Sequence, residues 1–140
     1  MSTRPGQSTL ASPSRAGRLL GPRPVAAGQD WDAIRMEAAL GMLTLRLLRA
    51  AETAVGPVLH DRGSRRIYFL TPPGTTREWQ REGTRALGSG SWVVLVPPGW
   101  HGTVQWVVGP YDGPAFTDPA NLATALAAAE QSCPAAEASR

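Results

Sequence analysis

The chain has 140 residues, a mass of 14.8 kDa and a formal net charge of +3, and all 14 of its basic residues are arginine. This length allows one domain of ordinary size, and the longest apolar runs are too short to span a membrane. Its single cysteine excludes an internal disulfide and a zinc site built from cysteines.

Residues 1–29 are rich in Ser, Pro, Gly and Arg and carry the positive charge, with four arginines and no acid. Because they offer little apolar area to bury, we expect them to be disordered, and we expect residues 132–140 to fray. The tail is either a solvated extension or an arm that binds polyanions. It lacks a secretory signal, so we expect a cytoplasmic protein whose single domain spans residues 30–131.

The first predicted elements of this domain are a strand and a helix. Apolar and polar residues alternate over Trp31–Met36, which is typical of a half-buried strand. A helix is predicted from Glu37 to about Thr53. Its apolar stripe consists of Leu40, Leu43, Leu47 and Ala51. On the other side, Met42 and Leu45 indicate either a second covered face or an exposed patch for a protein partner.

A β-hairpin is predicted next. Its strands are Val58–His60 and Ile67–Leu70, and Asp61–Ser64 forms the turn between them. Gly63 is available there for a positive φ. The apolar character of the second strand predicts that it is buried.

The remaining elements end with a capped helix. Thr76–Arg81 suggests one or two helical turns anchored by Trp79. The apolar run Trp92–Val96 is typical of a central strand, and Val104–Val108 predicts another strand. Asp118 then caps a helix that begins with proline and runs to about residue 131.

These elements follow the order β-α-β-β-α-β-β-α. Since strands and helices do not alternate strictly, the predicted class is α+β, with a mostly antiparallel sheet and two main helices. The core is expected to combine the helix stripe with apolar strand residues. Its predicted members are Trp31, Leu40, Leu43, Leu47, Tyr68, Phe69, Trp92, Val94, Val96 and Trp106.

Motifs for the common catalytic chemistries are absent from the sequence. It contains no glycine-rich phosphate loop, no paired-histidine metal motif and no nucleophile elbow. Asp30 and Asp32 form an Asp-x-Asp pair that could place two carboxylates on one face of a strand, and they are the only metal candidates. We therefore predict no cofactor.

Two segments resemble the amino-terminal domains of bacterial bifunctional DNA primase/polymerases. Asp61–Gly74 (DRGSRRIYFLTPPG) is similar to a hairpin in which a glycine-rich turn precedes a His-Leu-Tyr-Phe strand. Trp92–Trp106 (WVVLVPPGWHGTVQW) is similar to an apolar strand followed by Pro-Pro-Ser, a nearby His, Gly and a Tyr-x-Trp strand. The resemblance covers about residues 30–128 and implies a fold related to these nucleotidyl transferases.

The departures from this family argue against catalysis. Arg66 stands where the family has the strand His, and Gly99 replaces the Ser of Pro-Pro-Ser, whereas His101 has a counterpart. Only Asp30 and Asp32 could supply the metal-binding Asp-x-Asp, and their spacing to the hairpin does not match. Two-metal phosphoryl transfer requires carboxylates that hold both ions. The sequence therefore predicts a domain without catalytic residues.

Three functions remain open, and the third, an enzyme of another class, has the least support because the sequence shows no catalytic constellation. In the first, the domain binds a nucleotide or single-stranded DNA, with Arg62, Arg65 and Arg66 contacting phosphates while Trp100 and His101 stack on a base. In the second, it is an interaction or regulatory module with a protein partner, or a homodimer, and has no nucleic-acid role. Each arginine could equally belong to a solvated turn, and Trp100 could serve only loop packing.

Overall fold

The computed structural model describes residues 15–132. Their elements are β1 Arg23–Ala26, β2 Asp32–Glu37, α1 Ala38–Ala50, β3 Val58–Asp61, β4 Arg66–Thr71, β5 Thr84–Leu87, β6 Trp92–Leu95, β7 Val104–Val108 and α2 Pro119–Gln131. Short 3-10 turns lie at Arg15–Arg18 and Thr75–Arg77.

Five strands form one sheet in the order β5-β2-β4-β3-β7, and β1 pairs with β6 in a separate two-stranded sheet. All neighbouring strands are antiparallel. The α+β class and the mostly antiparallel sheet are thus confirmed. The predicted element order was wrong at three places, because β1 and β5 were not foreseen and the helix predicted at Thr76–Arg81 is only a 3-10 turn.

The two faces of the five-stranded sheet are covered differently. Ile34 and Met36 point to the face on which α1 and α2 pack, where they meet Leu45, Leu48 and Leu122. The intervening residues point the other way, because successive strand residues alternate between faces. On that face a second apolar cluster joins the sheet to the β1–β6 ribbon, through residues such as Leu59, Leu70, Val93 and Leu95.

Helix α1 packs through a face other than the predicted apolar stripe. Its buried residues are Gly41, Thr44, Leu45 and Leu48, while Leu40 and Leu47 are partly buried at the margin of the core. Glycine and threonine carry no hydrophobic signal, yet Gly41 lets the helix approach Ile67 of the sheet closely. Leu45 is 1% exposed, so the patch predicted around Met42 and Leu45 was wrong for Leu45, and only Met42 is exposed, at 37%.

Strand β6 is not the central strand predicted from its apolar run. Val93 and Leu95 are buried, whereas Trp92 is 65% and Val94 39% exposed. The strand pairs only with β1, and one of its faces is buried while the other is exposed to solvent. The placement of Trp92 and Val94 in the core was therefore wrong, because an apolar run cannot distinguish two buried faces from one buried and one exposed.

The described part of the predicted tail is ordered. Strand β1 pairs with β6 from Arg23 opposite Leu95 to Ala26 opposite Trp92, and Ala27 is 4% exposed. The prediction of disorder was therefore wrong for residues 15–29. The composition of this segment predicted a tail. It is held instead by backbone hydrogen bonds between β1 and β6 and by a few small buried side chains such as Ala16 and Ala27. Residues 1–14 and 133–140 lie outside the described part.

The hairpin and the last helix are confirmed. Strands β3 and β4 pair from Val58 opposite Phe69 to Asp61 opposite Arg66. The side chain of Asp118 accepts a hydrogen bond from the backbone N–H of Asn121 at 3.0 Å, and so caps α2 as predicted.

Candidate anion-binding groove

The two segments of the family resemblance meet at the hairpin turn. Arg62 donates from Nη2 to the carbonyl oxygen of Gly102 at 3.1 Å, and its backbone N–H donates to the carbonyl oxygen of Thr103 at 2.9 Å. The guanidinium of Arg62 therefore holds the loop that follows β6. Beside it, Trp100 is partly buried against the second apolar cluster, and His101 is exposed.

Arg65 stabilises the start of α1 through its backbone. Its φ is +60°, so Arg65, and not Gly63, takes the left-handed conformation in this turn. Its carbonyl oxygen accepts a hydrogen bond from the N–H of Ala38 at 3.0 Å. Its side chain is exposed. Of the three arginines predicted as one cluster, Arg62 contacts Gly102 through its side chain, whereas Arg65 contacts Ala38 through its backbone carbonyl.

Arg66 belongs to a different surface, a groove of about 1110 Å³. We call this surface the arginine groove. It is lined by four arginines, Arg35, Arg66, Arg81 and Arg85, and by three acids, Glu37, Glu82 and Glu130.

The strand register places two of these arginines directly opposite each other. Arg35 on β2 is the cross-strand partner of Arg85 on β5, and Tyr68 on β4 faces Arg35 from the other side. Side chains in such pairs have Cβ atoms about 4.5–5.5 Å apart. Within residues 15–132, neither guanidinium has a hydrogen-bond or salt-bridge partner. Like charges directly opposite each other destabilise a sheet.

The other two arginines of the groove have protein partners. Arg66 lies opposite Glu37 in the register and donates from Nη1 to the carbonyl oxygen of Ser64 at 3.3 Å. Arg81 forms a salt bridge with Glu130 on α2, with 3.0 Å between Nη2 and Oε1. The groove therefore offers an unpaired arginine couple, with Arg66 on the next strand.

The predicted metal candidates Asp30 and Asp32 do not belong to a cluster of metal-ligand side chains within residues 15–132. Asp32 is 1% exposed, and its Oδ2 accepts hydrogen bonds from the N–H groups of Gly74 and Thr76, each at 3.0 Å. Asp32 therefore stabilises the 3-10 turn. In the part of the chain that the structure describes, no three His, Cys, Asp or Glu side chains come together as metal ligands would.

Comparisons with known proteins give no family for this chain. No protein-family model, no curated protein and no solved structure matches it significantly. None of the helices within residues 15–132 is long and apolar enough to cross a membrane.

Sequence reasoning did not single out Arg35 or Arg85. Both occupy polar positions in alternating strands, which is the ordinary pattern of a solvated face. Only the register of β2 against β5 shows that they oppose each other. A register between strands so far apart in sequence, Asp32–Glu37 and Thr84–Leu87, has no local signal.

Proposed function

We propose that the chain is a non-catalytic primase/polymerase-like domain whose arginine groove binds the phosphates of a nucleotide or of single-stranded DNA in the cytoplasm. The observation that carries the proposal is the cross-strand pair of Arg35 and Arg85, which has no acidic partner in the described residues. Arg66, at the position of the family's strand His, lines the same groove.

Phosphate fits this pair for two reasons. A guanidinium donates two parallel hydrogen bonds to phosphate oxygens, and it stays charged at every physiological pH. A phosphate between Arg35 and Arg85 also adds two attractions that outweigh the repulsion between the two guanidinium groups.

The proposal contains no phosphoryl transfer. Two-metal catalysis needs several carboxylates around the ions. The described residues hold no such group, and Asp32 is engaged in hydrogen bonds to Gly74 and Thr76. Glu37, Glu82 and Glu130 line the groove, but Glu130 is paired with Arg81.

Binding of a fluorescent oligo-dT tests the proposal by anisotropy at several salt concentrations. The variant is Arg35→Ala/Arg85→Ala, and the matched control is Arg46→Ala/Arg49→Ala, which removes the same charge from exposed positions of α1. We expect the groove variant to bind about tenfold or more weakly. We also expect it to lose roughly 0.7 in the slope of log K against log salt per lost phosphate contact. Equal losses in both variants would contradict the groove as the site.

A second function is favoured by a different observation. Trp92 and Val94 expose their side chains on the outer face of β6, and β1 and β6 each have one edge without a strand partner among the described residues. An exposed tryptophan beside an open strand edge is typical of a protein interface. This feature supports the alternative that the domain is an interaction module or a homodimer.

Salt dependence separates the two functions. Phosphate binding weakens steeply as salt rises, whereas apolar self-association through Trp92 does not. Sedimentation velocity over a range of salt and protein concentrations, with wild type and Trp92→Ser, measures the second. Salt-insensitive association that Trp92→Ser abolishes, together with no DNA binding at low salt, would replace the first proposal by the second.

A further inference from the structure

A buried carboxylate of this protein has one oxygen without a partner. Asp32 is 1% exposed, and its Oδ2 is satisfied by two backbone N–H groups, but its Oδ1 is buried and accepts no hydrogen bond. Burying an ionised carboxylate is costly unless each oxygen finds a donor or a positive charge. An additional group beside Oδ1 would remove this cost.

A second unpartnered oxygen lies across the strand. Thr71 is the cross-strand partner of Asp32 in the β2–β4 pair, and both side chains are on the same face of the sheet because residues in register share a face. Thr71 is fully buried, and its Oγ1 also lacks a hydrogen-bond partner. Two buried oxygens on neighbouring strands, at opposed positions of the register, therefore lack hydrogen-bond partners.

A small polar pocket adjoins Asp32. Its volume is about 390 Å³, and Thr76, Ser89 and Ser91 contribute hydroxyl groups to its lining. Glycines keep this space open: a Cβ atom at Gly88 would lie 2.9 Å from Oγ1 of Thr76. Arg77 also lines the pocket and is its only basic residue. The pocket shares no lining residue with the arginine groove.

We propose that Asp32 and Thr71, with this pocket, bind a compact monovalent cation, which is either an alkali ion or the ammonium group of a small ligand. The donors are carboxylate and hydroxyl oxygens, which hard cations and ammonium prefer. Asp32 is the only acid of the pocket lining and balances one positive charge, since the other charged residue of the lining, Arg77, is exposed to solvent. A divalent ion would need more carboxylates, and the described residues supply no group of three acidic, His or Cys side chains here. A cation satisfies the lone pairs of Oδ1 and Oγ1 together.

Thermal unfolding of the full chain tests the site at constant ionic strength. Choline chloride, whose cation is bulky and has no N–H group, is replaced in turn by sodium, potassium, ammonium and methylammonium chloride. We expect the melting temperature to rise with at least one compact cation and to keep rising with its logarithmic concentration, as for a ligand that binds only the native state. A rise with methylammonium indicates an ammonium headgroup, and a rise with alkali ions alone indicates an inorganic ion.

Isosteric variants show whether these two oxygens hold the cation. Thr71→Val keeps the side-chain shape and removes the hydroxyl, and Asp32→Asn removes the charge but keeps an acceptor for Gly74 and Thr76. Both are expected to abolish the cation-dependent rise. Thr44→Val, at a buried threonine that donates to the carbonyl oxygen of Leu40, is expected to keep it.

Crystals soaked in thallium(I) give a direct view of the site. The proposal predicts an anomalous peak between Oδ1 of Asp32 and Oγ1 of Thr71. The same melting temperature in all five salts, or only a water molecule between the two oxygens, would overturn the proposal. Because Thr71→Val leaves Asp32 in place, the test holds even if Asp32→Asn does not fold.

Discussion

A Cβ atom on Gly41 would lie 2.8 Å from the Cβ atom of Ile67 and 2.9 Å from its Cγ2 atom. Helix α1 thus touches strand β4 where only a glycine fits. The contact brings the helix close enough for Leu45 and Leu48 to fill the core between the sheet and α2.

Gly41→Ala is therefore expected to destabilise the protein, although alanine favours a helix by about 1 kcal/mol over glycine. The added methyl group must push the branched side chain of Ile67 or the helix itself aside, and overpacking costs about 1–3 kcal/mol. Urea unfolding measures the difference. Ala50→Gly on the exposed end of α1 is the control for propensity alone, and a stabilised Gly41→Ala variant would contradict the close contact.

Leu45→Ala is expected to lower the free energy of unfolding by about 2–5 kcal/mol, because the side chain is fully buried among core residues. Leu43→Ala should cost clearly less, since Leu43 is only partly buried. Both variants lose the same atoms from the same helix, so the comparison isolates burial. Equal costs in urea unfolding would mean that α1 presents another face to the sheet.

Arg85→Glu should affect stability and ligand binding in opposite directions. It places a carboxylate opposite Arg35 in the β2–β5 register, and opposite charges in such pairs stabilise a sheet by about 0.2–1 kcal/mol. The same change removes a phosphate ligand, so DNA binding should be lost. Urea unfolding and anisotropy measure the two effects, with Arg46→Glu on α1 as control. If the variant is less stable than wild type, the interaction between Arg35 and Arg85 does not destabilise the free protein.

Deletion of residues 1–26 is expected to lower the melting temperature markedly, because β6 would lose the strand with which it pairs. The second apolar cluster would also be opened, since Val25 packs against it. Deletion of residues 1–14, which keeps β1, is the matched comparison. If both deletions melt at the same temperature, the β1–β6 pairing contributes nothing to stability.

The features that could be predicted depend on neighbouring residues. Asp118 followed by Pro119 predicts the start of α2, and the turn sequence around Gly63 predicts the hairpin. Both signals are visible because caps and turns depend on residues that are adjacent in sequence. The inward face of α1 could not be predicted, since two of its buried residues, Gly41 and Thr44, are not hydrophobic and Gly41 is required by its close contact with Ile67 of β4.

The candidate sites depend on partners far apart in sequence. Arg66 was singled out as a phosphate contact from the family resemblance, and it lines the arginine groove. Arg35 and Arg85 can be recognised as a candidate site only from the strand register, which places them opposite each other. Asp32 was noticed for its spacing to Asp30, whereas its surroundings come from Thr71 and the turn at Gly74.

Because Arg81 forms a salt bridge with Glu130, the carboxylate in the last turn of α2 competes with anionic ligands for this arginine of the groove. An anion that takes Nη2 of Arg81 displaces the carboxylate of Glu130, so its affinity there is lowered by the free energy of that bond. By thermodynamic reciprocity, a ligand that takes Arg81 loosens the attachment of α2 to the loop before β5 by the same factor. Anion binding at Arg81 and the attachment of α2 through Glu130 are therefore coupled, and each weakens the other.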